Sequence, residues 1–465
     1  MGSRRVIAVV LATLALALPS AAAGTTPLAE DGATFDAYGL GEAPGTICPA
    51  VGADCRNASA EPLLAAGARV LLAAAGTTAW RSRDGGEHFT ALPRLPGSAL
   101  ALAASPHALY VLARFGADLS LLASANGGAT WQSRPLGVGA GGRAALAAAG
   151  GARVCVSRSD PALGIAAGCS ADGGLTPPAW VSTLDAGHAF QAAGLRPGGL
   201  AVDTRRHVLY QAYSAIAAPG EAASDHGIFV AVSRDGGATW VDHPAFVNPA
   251  PQVSYAQRAV SVAVDRAGAV YVVAADGHHL WVSASADGAL SWTVPSRVDV
   301  GPGTALFPAA VAGAPGKLAV AYYKTPYSAG DTPAGDFPLA AVWWVAVAES
   351  TNALHRSAFH ERRVSPVVRY GGLCAVGPGC GANEHVNGVL GLAVDPARGL
   401  VTAVFTSDQY DPQEPGAPGC TAATANAGGC VHVLASAQTS GPRLLNPGSE
   451  KAARKKLRKK RRPGR

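Results

Sequence analysis

Short apolar segments of strand character recur along most of the chain, each bounded by turn-forming residues. The clearest unit reads ALALAA at 99–104, ALYVLA at 108–113, SLLAS at 120–124 and TWQS at 130–133. A later unit keeps the rhythm with AVSVAVD at 259–265, AVYVVA at 269–274, HLWVS at 279–283 and SWTV at 291–294. Each predicts an inner strand, a second and a third strand, then a tight turn and a fourth. The pattern occurs seven times between residues 61 and 440. Two of these units, with KLAVAYY at 317–323 and GLAVDP at 391–396, keep the strands but not the turn. The last has no fourth strand of its own, and ATFDAY at 33–38 is expected to supply it and close a ring. The predicted fold class is all-β, a propeller of four-stranded blades, with seven blades favoured and six as the alternative.

In five units the turn between third and fourth strands is nearly the same octapeptide: SRDGGEHF from Ser82, SANGGATW from Ser124, SADGGLTP from Ser170, SRDGGATW from Ser233 and SADGALSW from Ser285. Their start-to-start spacings are 42, 46, 63 and 52 residues. The Asp can accept backbone N–H groups as in an Asx-turn, the glycines permit positive φ, and the closing aromatic is an apolar anchor. The structural positions are Ser82, Asp84, Gly86 and Phe89; Ser124, Asn126, Gly128 and Trp131; Ser170, Asp172 and Gly174; Ser233, Asp235, Gly237 and Trp240; Ser285, Asp287 and Trp292. Asn126 stands for the Asp in the second copy and Ala289 for the second Gly in the fifth. In the third, Pro177 takes the aromatic position, with Trp180 three residues on. The motif resembles the Asp-box, or bacterial neuraminidase repeat, of sialidases and other secreted β-propellers.

In that family the box is a structural turn, and ligands meet the opposite face, where inner strands begin. The long loops 214–227, 324–339, 364–388 and 406–430 are assigned to that face, and long loops in compact domains are often functional. For a sialidase, the resemblance implies three arginines clamping a substrate carboxylate, an Asp acid/base, and a Tyr nucleophile activated by a Glu. Arg143, Arg196 and Arg258 head successive inner strands, with Tyr255 beside the last of them. Glu384 and His385 precede the final inner strand, and Tyr322, Tyr323 and Tyr327 border a long loop. The family's Phe/Tyr-Arg-Ile-Pro motif is missing from the first unit; the nearest string, PRLP at 93–96, follows the first box.

Asp203, Asp265 and Asp395 follow inner strands and are expected to cap turns. The string DGHH at 276–279 has metal-ligand residue types, but adjacent imidazoles in a hairpin are more often solvated. Asp408, Asp411 and Glu414 match no calcium-loop spacing. No metal or cofactor is expected. Asn57 to Ser59 forms a glycosylation sequon, relevant only in a eukaryotic secretory pathway.

Composition adds a compartment and a charge asymmetry. Arg4 and Arg5, the apolar stretch 6–18 and the alanines at 21–23 read as a signal peptide over residues 1–23. No later run is apolar enough to cross a membrane. Eight cysteines in close pairs then predict disulfides Cys48–Cys55, Cys155–Cys169, Cys374–Cys380 and Cys420–Cys430. Residues 24–60 form an N-terminal segment, 61–440 the propeller, and 441–465 a disordered basic tail. Residues 451–465 carry ten Lys or Arg and no acid, whereas 24–450 sum to −6. Such a tail can attract cell-wall polymer, anionic lipid or nucleic acid; lacking aromatics, it is not expected to read nucleic-acid sequence.

These features predict a secreted monomer, soluble or envelope-associated, whose sialidase-like propeller binds a glycan or another surface polymer. The alternatives are an exo-sialidase-type hydrolase using Arg143, Arg196 and Arg258 as an anion clamp, and an envelope-associated scaffold held by its tail. Fold alone does not choose among them.

Overall fold

A computed structural model describes residues 33–40, 62–138, 143–149, 152–185, 187, 195–221, 224–256, 260–328, 330, 332–355, 358–373, 389–409, 421 and 432–446. They form a β-propeller of seven four-stranded antiparallel blades. Blade one contains Leu63–Ala66, Leu71–Ala75, Thr78–Ser82 and Thr90–Ala91, and blade two Ser98–Ala104, Leu109–Phe115, Asp118–Ser124 and Gln132–Val138. Blade three contains Ala144–Ala148, Val154–Asp160, Gly164–Ser170 and Val181–Ser182, and blade four Leu200–Asp203, Val208–Ala215, Gly227–Ser233 and Val241–Val247. Blade five contains Ser261–Val264, Val270–Ala275, Leu280–Ser285 and Ser296–Arg297, and blade six Thr304–Ala312, Leu318–Thr325, Val342–Ser350 and His360–Arg363. Blade seven takes Gly391–Val394, Val401–Ser407 and His432–Ser440 from the C-terminal part and Thr34–Gly39 from the N-terminal part. Tyr38 pairs with Ala435 and Phe35 with Gln438, so the first strand of the described chain closes the ring.

Both faces of a blade are covered by its neighbours. The second and third strands therefore bury nearly every side chain; Val208–Ala215 and Leu318–Thr325 are almost continuous runs of buried residues. The core is divided among the seven seams between blades rather than gathered at one centre. Alternate residues of a strand serve different seams. Tyr322 packs toward blade five, while Tyr323 packs with Trp343 and Phe405 toward blade seven.

Antiparallel alternation gives the ring two ends. The mouth face carries the starts of inner strands and the loops between second and third strands. The box face carries the turns after inner strands and the turns between third and fourth strands, where the octapeptides lie. In all five octapeptides the Ser hydroxyl donates to the Asp or Asn side chain and accepts the N–H four residues on, at 2.6–2.9 Å. The same Asp or Asn oxygen accepts a second N–H, from His88, Thr130, Thr176, Thr239 or Ser291. Asn126 makes the same turn without a charge. Ala289 keeps it at φ 74° while fully buried, a strain of about 1 kcal/mol. In the third copy Trp180 packs toward blade two, the side to which Trp131, Trp240 and Trp292 turn in their own blades.

The turns also join the blades. Arg81 donates to Gly127 O, Arg134 to Gly173 O, Arg234 to Gly288 O and Arg398 to Asp84 O, each crossing from the preceding blade. At the closing seam the Tyr38 hydroxyl also donates to Gly86 O and Thr402 Oγ1 to Gly85 O. Blade seven has no octapeptide. There the chain leaving its third strand lays buried Leu444 into the seam with blade six, where Ala314 N donates to Leu444 O at 2.7 Å and Leu444 N to Gly399 O at 2.8 Å. Cys155 and Cys169 face each other across the second and third strands of blade three and form a disulfide. The other six cysteines lie outside the described residues.

Two stability predictions follow from these seams. Gly86 adopts φ +94°, and a Cβ there would lie 2.3 Å from Thr402 Oγ1 across the closing seam. Gly137 adopts φ +89° with nothing within 4 Å of such a Cβ. In denaturant titrations Gly137→Ala should cost only its backbone strain, about 1–2 kcal/mol, and Gly86→Ala about 2–4 kcal/mol. Glu349, at the end of the third strand of blade six, is 5% exposed with Oε1 unpartnered. Burial pushes its carboxyl up to about 7 against the opposing charges of Arg362 and Lys317. A folded value above the unfolded 4.5 stabilises the protein at acid pH, and that contribution is lost as pH rises through about 7. Glu349→Gln should remove this decline, worth on the order of 1–3 kcal/mol, in unfolding measured from about pH 4.5 to about pH 8.

Candidate functional site

Polar side chains gather on the mouth face of blades four to six. The second-to-third-strand loop of blade four carries Glu221 and His226, 3.1 Å apart. The His226 ring also meets Asn248 O at 2.7 Å, and Asn248 Nδ2 donates to the Tyr255 hydroxyl at 2.9 Å. The Asn248 carbonyl, and then Glu221, favour the imidazolium and raise the His226 pKa. The His226 hydrogen bond lowers Glu221, whereas burial raises neighbouring Asp225.

In blade five, Asp276 turns its hairpin by accepting the N–H groups of His278 and His279, and takes the Trp281 indole N–H at 2.7 Å. This spends its carboxylate inside the turn. The next connection brings Asp299, fully buried, against His279 Nδ1 at 3.1 Å, Leu280 N at 2.8 Å and Arg297 NH2 at 2.6 Å. Arg297 is raised by that same hydrogen bond. His279 and Arg297 keep about a third of their side chains exposed, 31% and 36%.

Blade six completes the belt. Lys324 is an ammonium within an otherwise apolar strand, and it lies 2.9 and 2.8 Å from the two oxygens of Glu361 on the outer strand. It donates also to Val300 O. Glu361 accepts the Val300 N–H at 2.9 Å and the Tyr322 hydroxyl. Burial first, then the Glu361 charge, pushes Tyr322 far above the usual phenol range, so it stays protonated. Farther round, Arg369 and Asp408 form a buried ion pair, and Asp408 N donates to Val368 O at 3.1 Å. This ties together the roots of the two long loops that begin near residues 364 and 406.

The sequence candidates fall unevenly. Arg143 and exposed Arg196 do head the inner strands of blades three and four. Arg258, Glu384 and His385 lie outside the described residues. Tyr323 lies near the mouth end of its strand but does not open to it: it is fully buried between blades six and seven, its hydroxyl 3.3 Å from Thr406 N. The strand's alternation turns it inward, and burial holds the phenol protonated. Tyr255 is likewise buried, at 2% exposure. Asp203, Asp265 and Asp395 each accept turn N–H groups just beyond their inner strands. Among the described residues no three His, Cys, Asp or Glu side chains gather as a metal site. Sequence reading passed over Glu361, Lys324, Arg297 and Asp299. The available signal was Lys324 itself, since a Lys inside a buried strand requires an acid partner.

No family model matches the chain, and no curated protein matches it by sequence. Among solved structures, a protein of unknown function from Dyadobacter fermentans is similar at 14% identity, covering 82% of this chain and 94% of that one, with TM-score 0.44. The endosialidase of phage phi92 is similar at 9% identity over 88% of this chain and 70% of that one, TM-score 0.48. The Aleuria aurantia lectin, in complex with Fucalpha1-6GlcNAc, is similar at 16% identity over 68% of this chain and 98% of that one, TM-score 0.41. At these identities the likeness concerns the fold alone.

The Lys324–Glu361–Tyr322 cluster makes an ordered prediction. Lys324→Met leaves a mostly buried carboxylate without its cation and should cost about 3 kcal/mol, whereas Tyr322→Phe removes one hydrogen bond at about 1 kcal/mol. Denaturant midpoints of the two variants measure the difference, and the reverse order would mean that Tyr322 rather than Lys324 holds Glu361.

Proposed function

We propose that the chain is an exported glycan-binding propeller whose contact surface is the mouth face of blades four to six. The observation that carries this reading is the pair His279 and Arg297, both partly exposed and both fixed from behind by buried Asp299. With Nδ1 directed at Asp299, the His279 ring presents Nε2 outward. Arg297 spends Nε and NH2 on Asp299 and Gly301 O, leaving NH1 for a ligand. Planar polar groups held in fixed orientations suit hydroxyl, carboxylate or phosphate oxygens, and half-buried Trp281 nearby offers a ring surface. Export is supported by the character of residues 1–23 and by the Cys155–Cys169 bond, which suits an oxidising compartment.

Hydrolysis is the second reading, and Tyr322 on Glu361 is the observation that would favour it. A nucleophilic phenol must be activated, however, and burial holds this one protonated. Binding to a glycan array checks the first reading. His279→Asn and Arg297→Lys keep a partner for Asp299 but lose the outward atoms. Each should weaken binding about tenfold while leaving the denaturation midpoint near that of the parent protein. A fluorogenic sialoside should not be turned over; turnover abolished by Arg258→Ala would establish the hydrolase instead.

A further inference from the structure

The two ends of the ring differ in what they offer a partner, and the box face combines three features. The first is where the described chain ends. Residues 441–446 pack on that face, with Lys317 Nζ donating to Arg443 O at 2.6 Å and Leu444 seated between the inner-strand turns of blades six and seven. Exposed Asn446 thus starts the path to the ten Lys and Arg of residues 451–465 from the box face, not from the mouth. The second is charge on the same face: Arg69, Arg83, Arg205, Arg206 and Arg443 are all exposed.

The third feature is apolar. Leu175 is 68% exposed, Leu290 65% and Val294 86%. Leu175 and Leu290 occupy one position in the third and fifth octapeptides, directly after the glycine pair or its Gly–Ala equivalent. The other copies place Glu87, Ala129 and Ala238 there. Nothing in the turn requires a leucine, because the Ser, the Asp and the N–H groups already satisfy one another. The neighbouring carboxylates are also spent inward: Asp172 takes the Thr176 N–H and O–H, and Asp287 those of Ser291. A lone exposed leucine is ordinary. Two at the same place on the face from which a polybasic segment departs form a combined apolar and cationic surface.

We propose that the box face docks on an anionic lipid surface, with residues 451–465 attracted to the headgroups and Leu175, Leu290 and Val294 entering the interface. Reversible membrane attachment needs two such signals, and neither alone suffices. A hydrophilic polyanion such as nucleic acid would use the charges and leave the leucines in water. Docked this way, the ring presents its mouth face away from the membrane. This orientation does not depend on what the mouth face binds.

The test is flotation of the full chain with phosphatidylcholine vesicles containing about one third phosphatidylglycerol, against vesicles of phosphatidylcholine alone. Binding is expected only to the anionic vesicles and should fall as salt is raised from about 0.1 M to about 0.5 M. Deleting residues 451–465, or making Leu175→Asp with Leu290→Asp, should each weaken it about tenfold or more. An environment-sensitive dye on Leu290→Cys should shift to the blue on binding, while the same dye on Leu339→Cys, at the mouth face, should not. Thermal melts confirm that these solvent-facing variants fold. Parental binding by the double Asp variant would overturn the proposal in favour of a purely electrostatic polyanion site. A blue shift at position 339 rather than 290 would reverse the orientation.

Discussion

A carbonyl at the tip of an octapeptide turn, met in four of the five copies by an arginine from the blade before it, is the contact on which the ring depends most. Blades must stack face to face, so their seams are apolar and mutually interchangeable, and apolar surfaces alone define distance better than register. A directed hydrogen bond at the rim removes that freedom. Arg81, Arg134 and Arg234 reach the carbonyl of the first glycine of the turn, and at the closing seam Arg398 reaches the residue before it, Asp84, while Thr402 takes the glycine carbonyl. The aromatic at or near the end of each octapeptide fills the same seam from the same side. Where blade seven lacks the motif, Leu444 takes the filling role and its backbone groups take the bonding role.

This arrangement separates rigidity from recognition. The box face is locked by short, repeated geometry, and the Asp of each octapeptide that has one is consumed by the turn it builds. The mouth face shares no repeat. Its acids and bases are paired across neighbouring strands and connections, as Asp299 pairs with His279 and Arg297, and Glu361 with Lys324. Partners buried behind an exposed group fix its direction, which is what recognition of a ligand requires.

How much of this could be read from the chain depends on the range of each interaction. The octapeptides are legible because Ser, Asp and Gly meet within five residues of sequence. The missing fourth strand of the seventh blade was legible because the third strand's outer edge demands a partner and ATFDAY is a short strand-like segment ahead of the first blade. The seam arginines were not, since Arg81 sits in a third strand, Arg134 in a fourth and Arg398 in a turn, and only the ring makes them equivalent. Tyr323 was misplaced because two adjacent tyrosines look alike in sequence, whereas strand alternation sends them into different seams. Glu361 belongs to no motif; it is chosen by Lys324 from the outer strand of the same blade some forty residues on, a distance at which sequence pattern carries no information.

The closing strand has a consequence for how the molecule is made. Thr34 meets Ser440 at the far end of the chain, a loop of roughly four hundred residues whose closure is slow compared with the hairpins within each blade. Synthesised ahead of the blades, Thr34–Gly39 waits for its partner while six blades assemble between them. During that interval the third strand of the last blade and the waiting segment are both open edges, able to pair with another copy. Phe35 and Tyr38 point to opposite faces of this strand, each half-buried in a different seam once it is paired. Ring closure thus leaves only short, protected blade edges in the finished molecule and makes its last moment of assembly the most exposed to exchange between molecules.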